Sequence, residues 1–325
     1  MIPALSRLRA KLASPVAPSL RIPVTSRARQ RHPLVMTLLV RNEADVIRQN
    51  IEFHMDHGVD HIIATDNNSE DGTAEILEEY ARSGVLHLIH EPGEDFDQPA
   101  WVNRMGELAT TRYGARLLIH ADADEFWWPD GGNLKDELLA HPLVDLLQVP
   151  LVNVLLEDRG GVEAFPADAR YAVIKPWATA DLQGATELQS LYLFRYPPKV
   201  MLRVRAAMPR IKAGNHGVEH ERRFVVSPAQ TLRIYHYPLR SKEHFIRKVI
   251  NGAVALERNA TATAGTGWHW RRWYAAYRDG RLDDEYRLLV LTAEAATELH
   301  RQGMVDEERQ LRPLLFGYDH SEPGR

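Results

Sequence analysis

No cysteine occurs in the 325 residues. That excludes a disulfide framework, a thiolate nucleophile and a zinc site built on thiolates. No apolar run approaches the ~18 residues that a membrane-spanning helix needs. A basic excess is missing as well: the formal net charge is −4, the wrong sign for a general nucleic-acid binder, so no nucleic-acid partner is expected. No glycine-rich phosphate cradle of the P-loop type is present. What remains is 44% hydrophobic and 26% charged, the composition of a soluble globular protein long enough for one large domain or two ordinary ones. The absence of thiols fits a reducing compartment, and the expected location is cytoplasmic.

Acidic residues are absent from residues 1–33, which hold Arg7, Arg9, Lys11, Arg21, Arg27, Arg29 and Arg31. Pro3, Pro15, Pro18 and Pro23 break any long helix there. The segment is expected to be a basic, disordered arm outside the fold. It lacks the apolar region of a signal peptide. An organelle transit peptide shares its composition. Contact with anionic lipid, as a peripheral attachment at the inner face of the membrane, is a second reading, and a solvated tail is the third.

From residue 34 the pattern alternates. Leu34 to Val40 is an apolar run of strand length, and residues 43–57 carry helical apolar spacing at Val46, Ile47, Ile51 and Phe53. Residues 60–64 read as a second strand, 73–82 as a helix closed by Ser83-Gly84, 85–89 as a third strand, 98–113 as a helix and 115–121 as a fourth strand. Strand–helix alternation at these lengths predicts right-handed βαβ units and a parallel sheet. The rhythm then changes. Residues 143–156 are strand-like and 157–190 loop-rich. Short strands are expected at 191–194, 200–204, 224–226 and 231–235, in an antiparallel or mixed arrangement. From Ser241, an N-cap residue before Phe245, Ile246, Val249 and Ile250, the chain turns helical, with further helices expected over 284–302 and 304–315. Trp268, Trp270 and Trp273 share no single helical face; packing is their first reading and a sugar-stacking platform the second. The layout is therefore an arm over 1–33, an α/β domain over 34–240 and a helical extension over 241–325.

The chemistry concentrates at strand ends. Asp122-Ala123-Asp124-Glu125-Phe126 follows the fourth strand, and ligands bind at strand C-termini in parallel sheets. Three crowded carboxylates call for a positive partner, and hard oxygen ligands suit Mg²⁺ or Mn²⁺ shared with substrate phosphates. The plainer reading of D-x-D is a solvated turn. Thr65-Asp66-Asn67-Asn68-Ser69-Glu70-Asp71-Gly72-Thr73 follows the second strand. Much of it is turn chemistry. Asp66, which only accepts, and Asn67, which donates and accepts, can together read a nucleobase edge such as uracil.

Three motifs now stand in order: Val40-Arg41-Asn42-Glu43, Asp66 to Thr73, and Asp122 to Phe126. Together they resemble the family-two-like nucleotide-sugar glycosyltransferases of GT-A fold, closest to a bacterial subgroup with N-E and D-x-D-E-F motifs. The resemblance covers residues 33–140, with an echo at Pro198-Lys199-Val200 and at His236 to Ser241. It implies a GT-A-like, Rossmann-like, mostly parallel sheet flanked by helices. It implies transfer from a nucleotide-sugar donor to a saccharide or lipid-linked acceptor, in surface polysaccharide or glycolipid synthesis. Arg41, Glu43, Asp66 and Asn67 then belong to the donor site. Many relatives carry two aspartates where this chain has Asp66-Asn67, which bears on the base contact. Asp124 is implied as the direct metal ligand, Asp122 as a contact to the ribose or to the ion's outer shell, and Glu125 as the group orienting the ion's water shell. A third ligand is expected downstream, with His236 ahead of His216 among 15 histidines. Lys199 and Arg203 are candidates to meet the pyrophosphate; a solvated basic strand face is their plainer reading. The base that deprotonates the acceptor in an inverting transfer is sought among Asp181, Glu187, Glu219 and Glu221, with Glu219 favoured for its nearness to His216. Neutralising Asp124 is expected to relieve repulsion among the three carboxylates.

Two rivals remain. A sugar-phosphate nucleotidyltransferase shares the sheet and the metal but wants a glycine-rich basic loop after strand one, where this chain has Arg41-Asn42-Glu43-Ala44. A non-catalytic nucleotide- or glycan-binding module is the other; the retained Asp122, Asp124 and Glu125 speak against it.

Overall fold

Alternation along the first strand sets the architecture. In the computed structural model, which describes residues 21–92, 98–159, 165–205, 207–220, 223–258 and 267–318, a short helix α1 (Ser26–Arg31) leads into β1 (Leu34–Val40). The chain continues through α2 (Ile47–Asp56), β2 (His61–Asp66), α3 (Thr73–Arg82), β3 (Leu86–His90), α4 (Gln98–Thr111) and β4 (Leu117–Asp122). Leu34, Met36 and Leu38 point to the face covered by Ile47 and Ile51 of α2. Val35 points the other way, to Val102 and Met105 of α4. Burial on both faces is what a parallel sheet requires, and each fully buried aliphatic contributes about 1.5–3 kcal/mol.

β5 (Glu125–Pro129), α5 (Lys135–Ala140), β6 (Leu146–Val149), β7 (Leu151–Leu156), β8 (Ala169–Val173), α6 (Leu182–Ala185), β9 (Lys199–Arg203), β10 (Val226–Pro228) and β11 (Leu232–His236) follow. The chain then runs through α7 (Lys242–Arg258), α8 (Trp268–Arg278), α9 (Leu282–Leu289), α10 (Ala293–Arg301), β12 (Val305–Glu307) and α11 (Arg312–Tyr318). One sheet has the order β10-β6-β9-β4-β1-β2-β3 and the other β12-β8-β7-β11-β5. β3, β2, β1 and β4 are mutually parallel, whereas β9 runs antiparallel to both β4 and β6. The fold is thus α/β, its seven-stranded sheet mostly parallel and flanked by helices, with a helical C-terminal region, the architecture that the resemblance implies.

Several local expectations change. Residues 191–194 are not a strand: Leu191–Leu193 is a 3₁₀ turn capped by the Ser190 side chain. The apolar stretch 143–156 is two strands. The helix expected over 284–302 breaks between α9 and α10, because Leu291 exchanges backbone hydrogen bonds with Leu156 and Asp158. The helix expected over 304–315 begins as β12, which pairs antiparallel with β8, so the C-terminal region is tied into the second sheet. Packing accounts for the tryptophans: Trp273 is buried against Phe245, and a Cβ on Gly252 would lie 2.9 Å from the Trp270 ring.

The expected arm divides. Residues 1–20 lie outside the described residues. Residues 21–33 dock on the core: Arg29 grips Asp136 of α5 through two hydrogen bonds, Nε–Oδ1 at 2.6 Å and a guanidinium nitrogen to Oδ2 at 2.5 Å. Lys135 Nζ donates to the Arg29 carbonyl at 3.2 Å. Among the described residues no helix is long and apolar enough to cross a membrane.

Candidate functional site at the strand ends

The ends of β2, β1 and β4 carry the site. In register, Val40 faces Asp66 and Leu39 faces Asp122, so the two aspartates flank β1 about 10 Å apart at the usual strand spacing. The loops after β1 and β2 are sewn together. Asn42, at φ 59°, takes a hydrogen bond from Glu70 N at 2.8 Å and donates its own N–H to Ser69 Oγ at 3.0 Å. Glu43 N donates to Thr73 Oγ1 at 2.8 Å, and Ala44 N to Asp71 Oδ2 at 3.1 Å. Ser69, Asp71 and Thr73 are therefore spent on loop structure. Asp66 is used only in part: its Oδ2 accepts the Ser69 N–H at 3.4 Å, whereas its Oδ1 is buried with no partner. Asn67 beside it is also buried, with Nδ2 donating to the Glu91 carbonyl at 3.3 Å. Arg41 is exposed at the rim.

β5 starts immediately after the D-x-D turn, and β11 returns antiparallel to it, with His236 opposite Glu125. That pairing brings His236 to Asp124: Tyr237 N donates to the Asp124 carbonyl at 2.8 Å, and His236 Nε2 lies 3.7 Å from Asp124 Oδ2. The turn itself is held by Asn50 of α2, whose Nδ2 donates to the carbonyls of Ala123 and Glu125 at 2.9 and 2.8 Å.

Asn153 Nδ2 donates to the Tyr192 carbonyl at 2.9 Å, which turns its Oδ1 toward His236 Nδ1 at 2.8 Å. The imidazole Nδ1 must carry the proton, and Nε2 presents a lone pair to Asp124. Burial lowers the His236 pKa to about 4 in spite of Asp124, so the ring is neutral at pH 7. Two acceptors then face each other across 3.7 Å.

Cations crowd the same carboxylates. Arg240, fully buried, binds Asp45 through Nε–Oδ2 at 2.7 Å and a second bond at 3.0 Å, pairs with Glu43, and brings Nη1 to 3.9 Å from Asp124. Lys248 of α7 places Nζ 2.7 Å from Asp124 Oδ2. Lys199 of β9 holds Asp122 at 2.6 Å and Glu125 at 2.8 Å. Burial opposes ionisation of Asp124, but Lys248 and its neighbours keep it well below the usual carboxylate range. Burial pushes Glu43 up to about 7 despite Arg240, and Glu125 up to about 8 despite Lys199.

A divalent ion fits this donor set in part. Among the described residues no group of three or more His, Cys, Asp or Glu side chains is arranged to hold a metal. Asp124 and neutral His236 nevertheless form a two-ligand edge, and Mg²⁺-type ions often take one or two protein ligands with phosphate and water completing the shell. Among the described residues Glu43, Asp45, Asp122, Asp124 and Glu125 face Lys199, Arg240 and Lys248, and because burial opposes ionisation of Glu43 and Glu125 the set lies near neutrality at pH 7.

Three candidates lie elsewhere than their expected roles would place them. Glu125 is not poised toward an ion: it is 1% exposed, bound by Lys199, and its Oε2 accepts the Asp122 N–H at 3.2 Å. Arg203 is not near the D-x-D turn. It pairs in register with Leu117 at the start of β4 and donates to the carbonyls of Val144, at 3.0 Å, His141, at 3.3 Å, and Leu138. Glu219 is exposed, and its backbone bond and ion pair both run to Arg210, the latter at 4.0 Å. Asp181 caps α6 instead, and Glu221 lies outside the described residues. His216 sits on the Asp122 side, its Nδ1 3.2 Å from the Pro198 carbonyl. Arg240, Lys248, Asn50 and Asn153 were not singled out from sequence. Only Arg240 carried a signal, as part of the His236 to Ser241 echo.

Residues 38–134 match the family described as glycosyl transferase family 2, a span that contains Glu43, Asp66 and the whole D-x-D turn. That stretch is similar to the core of family-2 glycosyltransferases. No curated protein matches the chain. Among solved structures it is similar to a mycobacterial protein at 19% identity, over 39% of this chain and 43% of that one, with TM-score 0.29. The chain thus spans less than half the length of that structure. It is also similar to S. aureus TarS 1-349 in complex with UDP-GlcNAc, at 12% identity over 84% of this chain and 92% of that one, TM-score 0.36. Glucosyl-3-phosphoglycerate synthase from Mycobacterium tuberculosis, in complex with Mn²⁺, UDP-glucose and phosphoglyceric acid, is similar at 17% identity over 77% and 89%, TM-score 0.40. At these scores the likeness carries no weight for function.

Proposed function

We propose that the protein transfers a sugar from a UDP-type nucleotide sugar to a saccharide or lipid-linked acceptor with the help of Mn²⁺ or Mg²⁺. The observation that carries this reading is the neutral His236 Nε2 facing the Asp124 carboxylate at 3.7 Å, at the sheet edge where Asp66 offers an unpartnered buried acceptor. Asp66 Oδ1 would accept a base N–H, with Asn67 beside it. Asp122, 41% exposed at its side chain, would meet the ribose, and Lys199 behind it fixes its orientation. Asp124 and His236 would hold the ion, with Asn153 keeping the His236 lone pair turned inward. A bound divalent ion supplies neutralisation of the charge that develops on the departing diphosphate. Lys199 and Lys248 add positive charge near the same place, and Glu43 acts through Arg240, which it helps to hold.

The test is a panel of UDP-, GDP-, dTDP- and CMP-sugars incubated with Mn²⁺ and assayed for slow hydrolysis. Release of nucleotide from a UDP-sugar above the others is the expected result. Equal release from all four, or activity that survives EDTA, overturns the reading.

A further inference from the structure

We propose that Lys248 is a displaceable cation that holds Asp124 in the free protein and gives it up to the divalent ion when the nucleotide diphosphate arrives, so that metal and nucleotide bind cooperatively. The inference rests on the metal-assisted reading above and adds an order and a coupling to it.

Three cations surround the five carboxylates, and they differ in freedom. Arg240 has a fully buried side chain and is fastened to both Glu43 and Asp45. Lys199 has a side chain 3% exposed and is fastened to both Asp122 and Glu125. Removing either from its place would strand two carboxylates. Lys248 is different: its side chain is 30% exposed, and among the described residues its ammonium makes one close ion pair, with Asp124 Oδ2 at 2.7 Å. It projects from α7, 124 residues away in sequence, on a flexible four-carbon stem whose ammonium can redirect its three donors at little cost.

Asp124 Oδ2 is the oxygen that also faces His236 Nε2, at 3.7 Å. An ion held by that pair would claim the oxygen that Lys248 now occupies, and two positive groups cannot share one carboxylate oxygen without strong repulsion. Lys248 must therefore leave as the ion enters. Glu43, the other carboxylate that acts on this ammonium, is already held by Arg240, so departure from Asp124 leaves the ammonium without a close partner beside a divalent charge, and metal binding alone is disfavoured. A diphosphate supplies the missing anion. It can ligate the ion and accept from the displaced ammonium together, so each ligand raises the affinity for the other by the same factor.

Calorimetry with MnCl₂, with and without saturating UDP, on wild type, Lys248→Met and Lys248→Arg tests this. Methionine keeps the stem and removes the charge; arginine keeps the charge. The wild type is expected to bind Mn²⁺ weakly alone and at least 30-fold more tightly with UDP. Lys248→Met should bind Mn²⁺ alone about tenfold more tightly than wild type, and its UDP enhancement should shrink by a similar factor. Lys248→Arg should keep the wild-type pattern. Thermal melts accompany all three, and the partly exposed position predicts folded variants. If Lys248→Met binds Mn²⁺ alone no more tightly than wild type, or retains the full UDP enhancement, the displacement role is overturned while the metal reading stands. If no variant binds Mn²⁺ even with UDP, the metal reading itself fails, and this inference with it.

Discussion

His236 donates its Nδ1–H to Asn153 Oδ1 at 2.8 Å, and this one bond decides which imidazole nitrogen faces Asp124. Asn153 stands on β7, the strand that pairs parallel with β11 and sets the two residues in register. An amide in this position does for an imidazole what carboxylates and carbonyls do for the histidines of many metal sites, fixing tautomer and ring orientation.

Asn153→Ala should therefore weaken Mn²⁺ binding in the presence of UDP by about 10–100-fold, the usual effect of losing such a partner. Calorimetry reads it directly. Donor binding without metal should change little, because Asn153 faces the imidazole and the Tyr192 carbonyl. Unchanged Mn²⁺ affinity would remove His236 from the ligand set.

Asp124→Asn keeps shape and removes charge. Loss of one electrostatic stabiliser from an active site commonly costs about 10²–10³ in rate, so donor hydrolysis should fall by at least that factor. The structure also reverses the expected effect on stability. Lys248 and Arg240, at 2.7 and 3.9 Å, outweigh the neighbouring carboxylates, so the variant should lose about 1.5–3 kcal/mol instead of gaining from relieved repulsion. Urea titration of wild type and variant without metal checks the sign.

Buried histidines set an acid limit. His54 donates Nδ1–H to the Asn50 carbonyl at 2.7 Å, and its Nε2 accepts the Trp127 N–H at 3.2 Å. Burial lowers the pKa of both His54 and His120 to about 3. Below pH 6.5 the unfolded chain takes up these protons and the folded chain does not. Stability present above pH 6.5 is therefore lost as pH falls toward 3, by about 1.4 kcal/mol per pH unit for each histidine. His54→Gln should be less stable than wild type at pH 7, and the gap should narrow steadily at pH 6, 5 and 4. A gap independent of pH would contradict the assignment of His54 as a buried neutral ring.

Arg203 separates structure from chemistry. It ties together three carbonyls around the end of α5, far from the D-x-D turn along β9. Arg203→Met should destabilise the fold by about 1–3 kcal/mol through unpaired carbonyls and leave Mn²⁺ and UDP affinities within about twofold of wild type. A selective loss of UDP affinity at unchanged melting temperature would return Arg203 to the phosphate site.

Along the chain, what could be read in advance was local. Apolar runs of strand length and helical spacing located β1 to β4 and the helices between them, because burial on both faces of a parallel sheet writes its period into each segment. The carboxylates and amides at strand ends were legible for the same reason: the sheet topology that follows from βαβ spacing places Asp66 and Asp122 on either side of β1. Tertiary structure decided the rest. β5 hid behind the D-x-D motif as five residues, and its pairing with β11 delivers His236 to Asp124. Lys248, Asn153 and Arg240 act across separations of tens to nearly two hundred residues, and no periodicity encodes which distant cation meets which carboxylate. Arg203 and Lys199 show the limit within a single strand. They share β9, but the antiparallel register with β4 sends Lys199 to the D-x-D turn and Arg203 to the far end of the sheet.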